Sequence, residues 1–578
     1  MTSVSQLTQS PSTPDHANDP GRTDFVRDLV ASDIATARFA GRVQTRFPPE
    51  PNGFLHIGHA KAIVLDFAIA LENNGSCFLR FDDTNPATED QAYADAICED
   101  IEWLGFSPDG ITHASDYFEQ LYEWAELLVT KGLAYVDEQS ADLIAEQRGG
   151  FGQPGVESPF RNRAPDDNLR LLRAMKEGEL PEGSCVLRAK IDMQHENMQL
   201  RDPVMYRIRH MTHFRTGDTW KIYPTYDWAH GQGDAIEGVT HSLCSLEFSD
   251  NRSLYDWFLE QLPLSAPAPY QTEFARLNLT YTTTSKRQLR EIVEQGFVEG
   301  WDDPRLPTLR ALRRRGYPAS SIRDFCSSIG VARTNSRHDI ELLESFVRAD
   351  LNRSCLRKMA VLRPLKLVIT NWPTDPHNQP VVEYRSLPNN PENEADGQRE
   401  IPFSGELWID EEDFKLDPPP KYFRLTPGRE VRLRGGYLVT CTDALCDESG
   451  RPTEIHCTYD PATAGGAAPD GRKVKATIQW VRAVHALEGS VALYDRLFTE
   501  QVPGERTGEP LDDINQNSLD LITGCKFEPS IANLQAGEVV QFERVGYFAA
   551  DANRELHFHR TVGLRDEWAR IQKQAEGS

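Results

Sequence analysis

The sequence predicts a multidomain protein with an α/β part followed by an all-β part. Two observations support this: a strand–helix–strand pattern near the N-terminus, and short alternating strands with many Gly and Pro turns in the C-terminal half. At 578 residues the chain is too long for one core, and we expect about three to five domains. The composition, 39% hydrophobic and 26% charged, is ordinary for a globular protein.

The α/β part begins with residues 42–47 (RVQTRF), which predict a strand. Apolar residues recur every fourth position over 58–72 and predict a helix, and residues 77–83 (CFLRFDD) predict the next strand. Such βαβ units are nearly always right-handed and bind ligands at the carboxyl ends of their strands. We expect His56 and Asp82 at such ends.

The rest of the chain changes character several times. Mixed helices and loops over 114–224 interrupt the α/β pattern, and the apolar segments that follow are suited to completing the sheet. The sequence therefore predicts a tail (1–24), a Rossmann-like nucleotide-binding domain in two halves (25–113 and 225–283), an insertion between them (114–224), a helical subdomain (284–354) and C-terminal β-barrels (355–578).

The first 24 residues are polar and rich in Ser, Thr, Pro and Asp, which predicts a disordered tail and not a secretory signal. The ten cysteines are scattered singly, and the closest pair, Cys441 and Cys446, lacks the two-residue gap of a zinc knuckle or redox motif. No apolar run approaches the length that crosses a bilayer. We expect a cytoplasmic protein with no membrane association and no structural metal.

The formal net charge of -26 argues at first sight against a nucleic-acid partner, because phosphate contacts need Lys and Arg. Two basic stretches, 310–315 (RALRRR) and 472–475 (RKVK), could still form a confined positive track. Solvated surface is about as good an explanation of either stretch taken alone. Charge by itself leaves RNA binding open.

Residues 48–61 (PPEPNGFLHIGHAK) have the features that adenylate formation requires. Prolines stiffen the exit from the strand, Gly53 and Gly58 let the backbone approach a ligand, and the helix start directs N–H groups at a phosphate. His56 and His59 would then lie beside an anion. A lone histidine at a helix start is more often a cap or a core residue, so the inference depends on the whole pattern.

Pro-x-Pro-x-Gly-x-x-His-Ile-Gly-His, placed between a strand and a helix, resembles the His-Ile-Gly-His signature of class I aminoacyl-tRNA synthetases. Their second signature, Lys-Met-Ser-Lys-Ser, is matched by 281–287 (YTTTSKR), with Thr284 in place of the methionine. Ser285 and Lys286 are retained, and Lys286 could stabilise charge on the α-phosphate and pyrophosphate. Without the first motif, this lysine would be taken for an exposed loop residue.

Further stretches resemble the glutaminyl-tRNA synthetase family in particular: 79–86 (LRFDDTNP), 240–248 (THSLCSLEF), 299–309 (EGWDDPRLPTL), 402–410 (PFSGELWID) and 470–481 (DGRKVKATIQWV). The resemblance runs from about residue 24 to 568. It implies a class I catalytic domain with an inserted acceptor-end-binding domain, a helical stem-contact subdomain and two anticodon-binding β-barrels. The implied activity is ATP-dependent formation of glutaminyl adenylate and transfer of glutamine to the 3'-terminal adenosine of tRNA(Gln).

The resemblance also implies site residues. ATP, as its Mg²⁺ complex, would contact Glu50, Pro51, Asn52, His56, Ile57, Gly58, His59, Ala60, Lys61, Ala62, Ser245, Arg276, Leu277, Thr284, Ser285 and Lys286, with His56, His59 and Lys286 catalytic. Glutamine would contact Arg46, Asp82, Tyr226, His230, Cys244, Phe248 and Gln271. The tRNA would contact Asp250 at its acceptor stem, and Arg333 and Arg357 at its anticodon.

Two of these residues have more specific implied roles. Asp82 would pair with the α-ammonium group of the amino acid, although capping of the turn that follows is its alternative role. Tyr226 would place its hydroxyl against the side-chain amide.

The first motif does not decide which amino acid is attached, because glutamyl-tRNA synthetases share the sequence pattern of residues 48–61. Gln and Glu are nearly isosteric, and a carboxylate buried without a cation is costly, whereas an amide needs matched donors and acceptors. Related glutamyl enzymes tend to have Arg at the position of Cys244 and lack a histidine at that of His230, which favours glutamine. Arg46 keeps glutamate open. The strand-rich C-terminal half also favours glutamine, since bacterial-type glutamyl enzymes use a helical anticodon domain.

Two departures from the family pattern bear on activity: Thr284, and Gly231-Gln232-Gly233 where bacterial members often have Cys-Ile-Ser. The altered loop suggests a further alternative, a tRNA-binding paralogue without catalysis. The resemblance otherwise implies a monomer with no obligate protein partner, which binds tRNA(Gln), ATP and L-glutamine and needs tRNA before it activates the amino acid.

Overall fold

The computed structural model describes residues 24–466 and 468–565. The predicted tail lies outside these residues except for Asp24, whose carboxylate accepts hydrogen bonds from the amides of Val26 and Arg27 and so begins the first helix. Two compact units contain the described residues. One consists of those up to Asn278 with Cys326–Arg337, and the other of Leu279–Phe325 with those from His338 onward. The predicted domain boundaries stay predictions.

The helices are α1 (Phe25–Ala35), α2 (Ile57–Glu72), α3 (Gln91–Trp103), α4 (Phe118–Thr130), α5 (Ala141–Gln147), α6 (Pro165–Glu177), α7 (Tyr226–Glu237), α8 (Arg252–Gln261), α9 (Lys286–Glu294), α10 (Leu309–Arg314), α11 (Ala319–Ile329) and α12 (Ile340–Ser354). No helix of the described residues is long and apolar enough to cross a membrane.

The strands up to the middle of the chain are β1 (Gln44–Phe47), β2 (Ser76–Phe81), β3 (Gly110–His113), β4 (Ala134–Asp137), β5 (Val186–Ala189), β6 (Val204–Ile208), β7 (Ile222–Pro224), β8 (His241–Ser245), β9 (Tyr270–Phe274), β10 (Leu277–Leu279) and β11 (Ser336–His338).

The strands of the C-terminal part are β12 (Leu356–Lys358), β13 (Ala360–Val361), β14 (Pro364–Ile369), β15 (Glu383–Pro388), β16 (Gln398–Phe403), β17 (Glu406–Asp410), β18 (Glu430–Leu433), β19 (Leu438–Cys446), β20 (Pro452–Tyr459), β21 (Thr477–Ile478), β22 (Val481–Arg482), β23 (Leu487–Tyr494), β24 (Leu519–Phe527), β25 (Val539–Phe542), β26 (Gly546–Ala550) and β27 (His557–Gly563).

The predicted βαβ unit is confirmed in the first unit. Strand β1 pairs in parallel with β2, β2 pairs in parallel with β3, and α2 connects the first two strands. Gly75 makes the turn out of α2, where a Cβ atom would lie 2.0 Å from the carbonyl oxygen of Val43. No side chain fits there, so the turn needs glycine.

The parallel strands β8 and β9 extend this arrangement. The amide of Thr240, just before β8, donates to the carbonyl of Gln44 at 2.9 Å, and the amide of Gln44 donates to the Thr240 hydroxyl at 2.8 Å. Strand β8 therefore lies beside β1, and the strand order is β3, β2, β1, β8, β9. The order reverses direction between β1 and β8, which is where open α/β sheets bind ligands.

The region 114–224 contains a four-stranded antiparallel sheet in the order β4, β5, β6, β7. Its apolar face packs against α4 and α6 around the fully buried residues Leu128, Leu187 and Met205. The prediction of mixed helices and loops for this region did not include the sheet. Strands of three to five residues are too short for their alternation to be recognised.

The second unit is rich in strands, as predicted, and contains two seven-stranded sheets. Their orders are β12, β25, β26, β27, β23, β24, β13 and β21, β18, β19, β20, β14, β17, β22. The end strands β12 and β13 are separated in the chain by Met359 alone, and β21 and β22 by Gln479 and Trp480. Each sheet therefore begins and ends on one continuous segment of chain.

Candidate active site

Arg46 lies on β1 beside the point where the strand order reverses, and its side chain is completely buried. Its Nε atom lies 3.0 Å from Oδ1 of Asp234, and Nη1 donates to the carbonyl of Leu243 at 2.9 Å. Its Nη2 atom lies 2.8 Å from Nε2 of His230 and donates to the hydroxyl of Ser242 at 2.5 Å. Each nitrogen of this guanidinium group therefore has a partner inside the protein.

Asp234 is the centre of this buried cluster. Besides Arg46 it accepts from Nη2 of Arg80 at 2.5 Å and from the hydroxyl of Tyr255 at 3.0 Å. Nη1 of Arg80 also lies 2.9 Å from Glu237. Each of the two arginines is thus paired with a buried carboxylate, as burial of a charge requires.

The pKa shifts in the cluster follow from these contacts. Burial alone would lower the pKa of Arg46 and raise that of Asp234, but their mutual attraction outweighs it, so the pKa of Arg46 is raised and that of Asp234 is lowered. Burial lowers the pKa of His230 well below its ordinary range, and Arg46 and Arg80 add to this effect while Asp234 opposes it. The His230 ring is therefore neutral at physiological pH.

Asp82 follows β2 directly and lines a small cavity beside this cluster. The other residues that line the cavity are Pro48, Arg80, Ala114, Tyr117, Leu121, Ala229, His230 and Gly233. Asp82 is 8% exposed, and its Oδ1 atom has no hydrogen-bond partner among the described residues. Burial, followed by the negative charge of Glu50, raises the pKa of Asp82 to about 6. A buried carboxylate oxygen without a donor is suited to receive a cationic ligand.

Tyr226 is the first residue of α7, and its ring lies between two others. The centroid distances are 4.7 Å to His230 and 5.0 Å to Phe248. Burial raises the pKa of Tyr226 well above its ordinary value, so the hydroxyl remains protonated and can donate or accept a hydrogen bond. Gln271 donates to the carbonyl of Phe248 at 3.0 Å and to Glu273 at 2.9 Å. Sγ of Cys244 lies 3.6 Å from Nε2 of His230. These contacts join six of the predicted glutamine contacts into one group: Arg46, His230, Cys244, Tyr226, Phe248 and Gln271.

His56 and His59 stack at the start of α2, with ring centroids 3.8 Å apart. Nδ1 of His56 accepts the amide of Gly58 at 3.1 Å, and Nδ1 of His59 accepts the amide of His56 at 3.1 Å. In the neutral rings the proton is therefore on Nε2 in both cases. The histidines cap the helix, and each ring has an Nε2–H group of the kind that binds anions at a helix N-terminus.

The other predicted ATP contacts are placed as follows. Four apolar residues are buried: Pro51, Ile57, Ala60 and Leu277. Two are half-buried: Ala62 and Ser245. Glu50 is exposed and accepts a hydrogen bond from Asn52, and Arg276 forms an ion pair with Glu247. Lys61 is buried and its Nζ donates to the carbonyl of Ala275 at 2.8 Å. Thr284, Ser285 and Lys286 belong to the second unit, where Ser285 precedes α9 and Lys286 is its first residue.

The predicted tRNA contacts lie in different surroundings. Asp250 is exposed, and its carbonyl accepts from Asn197 at 2.7 Å. Arg333 is exposed in the first unit, with its guanidinium 4.5 Å from the ring centroid of Phe25. Arg357 is buried in the second unit and donates to the carbonyl of Cys355 at 2.5 Å. Their RNA contacts stay predictions.

The two basic stretches of the sequence contain arginines whose charge is compensated. Arg314 lies 3.0 Å from Asp551, and Arg472 lies 3.0 Å from Glu430 and 2.6 Å from Asp460. These two arginines therefore do not add uncompensated charge to their stretches.

Sequence reasoning missed Asp234, Arg80, Ser242 and Tyr255. One signal was available for Asp234: it is four residues after His230, which places both on one face of a helix. Among the described residues, no group of three or more His, Cys, Asp or Glu side chains could hold a metal ion.

Comparisons with known proteins cover nearly the whole chain. Residues 42–353 match a family model described as "tRNA synthetases class I (E and Q), catalytic domain". Residues 355–460 and 477–551 match two models described as "tRNA synthetases class I (E and Q), anti-codon binding domain". The glutamine–tRNA ligase of Nitrobacter winogradskyi is 53% identical over 552 residues, covering 95% of this chain and 97% of the relative. That of Stutzerimonas stutzeri is 51% identical over 556 residues, covering 95% and 99%. A solved glutamate–tRNA synthetase from Elizabethkingia anophelis is 20% identical, with a TM-score of 0.41, covering 54% of this chain and 72% of that one.

Proposed function

The chain belongs to the class I tRNA synthetases of the glutamate and glutamine group, and on this basis we propose that it joins L-glutamine to tRNA(Gln) at the expense of ATP. It has the catalytic domain and the anticodon-binding domains of that group. Glutamine–tRNA ligases that are 51–53% identical to it over about 95% of its length support glutamine over glutamate.

The observation that best supports glutamine is the buried pair of Arg46 and Asp234. From the sequence, Arg46 left glutamate possible as the substrate, because a cation near the pocket could pair with the glutamate carboxylate. Its charge is balanced by Asp234, and its nitrogens are occupied by protein acceptors. His230 is neutral. A glutamate carboxylate would meet no uncompensated cation from these residues, whereas a neutral amide needs none.

Asp82 and Tyr226 hold the amino acid in the proposed complex. The unpartnered Oδ1 of Asp82 receives the α-ammonium group, since it is a buried carboxylate oxygen beside the cavity. The Tyr226 hydroxyl contacts the side-chain amide, in keeping with its protonated state. The glutamine-binding roles of Cys244, Phe248 and Gln271 are part of the same proposal.

The reaction proceeds in two steps. The glutamine carboxylate attacks the α-phosphate of ATP, which enters as its Mg²⁺ complex, and pyrophosphate leaves. A ribose hydroxyl of the terminal adenosine then takes the acyl group from the adenylate. His56 and His59 donate to phosphate oxygens through Nε2, and Lys286 stabilises the charge on the leaving pyrophosphate. The protein acts by positioning and electrostatics and forms no covalent intermediate.

The RNA-binding part of the proposal assigns the acceptor end to the insertion 114–224 and the anticodon to the two C-terminal sheets. The continuous segments that form both ends of each sheet support closed barrels. Asp250 is a candidate reader of the acceptor stem, with Arg333 and Arg357 as candidate anticodon contacts. We propose a cytoplasmic monomer that needs tRNA before it activates glutamine.

Aminoacylation of tRNA(Gln) with labelled glutamine and, in parallel, labelled glutamate tests the proposal. We expect charging with glutamine alone. Charging with glutamate would refute the assigned amino acid, and charging with neither, by protein that still binds tRNA, would favour the non-catalytic paralogue suggested by Thr284.

A further inference from the structure

Cys441 and Cys457 lie directly opposite each other on neighbouring antiparallel strands. Cys441 is on β19 and Cys457 on β20, and the register of the two strands pairs them. Both side chains belong to the core of their sheet, with exposures of 1% and 0%. Opposite residues of an antiparallel pair point to the same face, so the two thiols face each other.

The backbone hydrogen bonds identify the type of pair. The amide of Cys441 donates to Arg429, and its carbonyl accepts from Gly428 at 2.8 Å, so both groups point away from β20. The carbonyl of Cys457 accepts from Thr370 at 2.8 Å and points away from β19. The cysteines are therefore a non-hydrogen-bonded pair, in which Cα atoms are about 4.5 Å apart. A disulfide bond spans Cα distances from about 4.4 to 6.8 Å, so it can form here without moving the strands apart.

The two thiols are chemically unequal. The interaction between the two side chains lowers the pKa of Cys441 and, together with burial, raises that of Cys457. Cys441 is also followed by a β-bulge, since the register shifts between Cys441 and Asp443. A bulge leaves its extra residue unpaired and disrupts the ladder locally, so the backbone is less regularly paired next to Cys441. Cys441 is thus the thiol that reacts first.

We propose that Cys441 and Cys457 form a reversible disulfide when the protein meets a hydroperoxide. The Cys441 thiolate attacks one peroxide oxygen, the O–O bond breaks, and the protonated leaving oxygen departs as water, leaving a sulfenic acid. The sulfur of Cys457 then attacks the Cys441 sulfur, the S–O bond breaks, and the thiol proton of Cys457 passes to the leaving hydroxyl, so the second oxygen departs as water. Two thiols and one hydrogen peroxide become one disulfide and two waters, with the sulfurs oxidised by two electrons.

The chain contains two natural comparisons. Cys525 is as deeply buried, at 0% exposure, but lies opposite Gly489 on the neighbouring strand. Cys446 is exposed at the end of β19, where its register partner is Pro452. If burial alone made a cysteine reactive, Cys525 would be oxidised like the proposed pair, and if exposure alone did so, Cys446 would be. We expect neither to form a disulfide within the protein, because neither lies opposite another cysteine.

Peptide mapping of the full-length protein tests the proposal. After treatment with hydrogen peroxide, the protein is unfolded, its remaining thiols are alkylated, and it is cut by a glutamate-specific protease. Cleavage after Glu448 and Glu454 puts Cys457 on a different peptide from Cys441 and Cys446. We expect a linked pair of these peptides, two hydrogen atoms lighter than their sum, which dithiothreitol separates.

The Cys446→Ser variant makes the assignment unambiguous, because the exposed cysteine is then absent. The linked pair should persist in this variant and disappear in Cys441→Ala. Full alkylation of Cys441 and Cys457 in peroxide-treated Cys446→Ser protein would overturn the proposal, as would a link that needs Cys446 or Cys525. The decisive measurement uses the Cys446→Ser variant, so it does not depend on how well Cys441→Ala folds.

Discussion

Nε of Arg46 lies 3.0 Å from Oδ1 of Asp234, and neither side chain reaches solvent. The two residues are 188 positions apart in the chain, on β1 and α7. Their contact joins β1 to α7 and compensates the charge of the arginine in the proposed amino-acid pocket.

Asp234→Asn removes the carboxylate and leaves Arg46 and Arg80 buried with less compensation. Breaking a buried ion pair from one side typically costs about 3–5 kcal/mol, so we expect the free energy of unfolding to fall by about that much in urea titrations. The positive charge left beside the pocket should also raise the ratio of glutamate to glutamine charging.

The control is Asp116→Asn, which breaks a pair with Arg215 of similar length, 2.9 Å, but with a carboxylate side chain that is 39% exposed. Exposed pairs contribute at most about 1 kcal/mol. Equal losses in the two variants would contradict the special role of the buried pair.

Asp82→Asn should weaken glutamine binding and stabilise the protein. Without the carboxylate the α-ammonium group has no counter-charge, so the KM for glutamine should rise at least about tenfold, the effect of 1.4 kcal/mol of lost binding. In the wild type the KM should rise as the pH falls through about 6, because the carboxylate becomes protonated there. Steady-state aminoacylation across pH 5–8 measures both.

The stability effect has the opposite sign. The pKa of Asp82 is about 6 in the folded chain, above its ordinary value of 3.8, so the folded state holds the proton more tightly than the unfolded state. Ionisation therefore costs the folded state on the order of 2–3 kcal/mol above pH 6, and this cost disappears as the pH falls towards 3.8. Asp82→Asn should melt higher than the wild type at pH 7.5, and the difference should shrink towards pH 4.

Asp83→Asn is the matched control, because burial raises the pKa of Asp83 to about 6 as well. Its carboxylate, however, accepts from the amide and hydroxyl of Ser115 at 2.8 and 2.6 Å. In this variant the relief of ionisation is offset by the loss of a carboxylate acceptor for Ser115, so it should gain less stability than Asp82→Asn and keep its KM for glutamine. An unchanged KM in Asp82→Asn would remove Asp82 from the binding site.

Gly58→Ala tests the arrangement of the stacked histidines. The added Cβ atom would lie 2.9 Å from Nδ1 and Cε1 of His56, so the ring must move. A displacement of about 1 Å at a reacting group can cost about 100-fold in rate, and we expect a fall of that order in kcat for aminoacylation. Gly150→Ala, where the nearest atom is 4.0 Å away, should have no effect. A fully active Gly58→Ala enzyme would mean that His56 does not act on the phosphates.

Gln232→Met should stabilise the protein. Gln232 is completely buried on α7, and the Nε2 and Oε1 atoms of its side-chain amide lack hydrogen-bond partners among the described residues. Replacing a buried, unsatisfied amide with a side chain of similar volume should add about 1–3 kcal/mol to the free energy of unfolding. Urea titration measures this. Destabilisation would show that an internal water or ligand satisfies the amide.

The neighbours of Gln232 explain part of the departure from the family pattern. A Cβ atom on Gly231 would lie 2.9 Å from the ring of Tyr255, and one on Gly233 would lie 3.1 Å from the guanidinium of Arg80. The Tyr255 hydroxyl and the Arg80 guanidinium both donate to Asp234. The two glycines therefore leave room for the groups that hold the buried carboxylate, a role that no local pattern in 231–233 indicates.

Local chemistry was enough to predict the βαβ unit, the position of His56 before α2 and that of Asp82 after β2, because strand, helix and turn preferences act over a few residues. It was also enough for the strand-rich C-terminal half. The short strands β4 to β7 could not be predicted in this way, because three to five residues contain too little alternation of apolar and polar side chains.

The sequence by itself determined the catalytic class, through the His-Ile-Gly-His run, and predicted polar groups for a glutamine pocket. Tertiary structure alone decided the charge of that pocket. Arg46 could be counted from the sequence as a cation that a glutamate carboxylate would use, and Asp234, which compensates it, is 188 residues away. An arginine's charge is a property of its side chain, but whether that charge is available depends on which carboxylate the fold places against it.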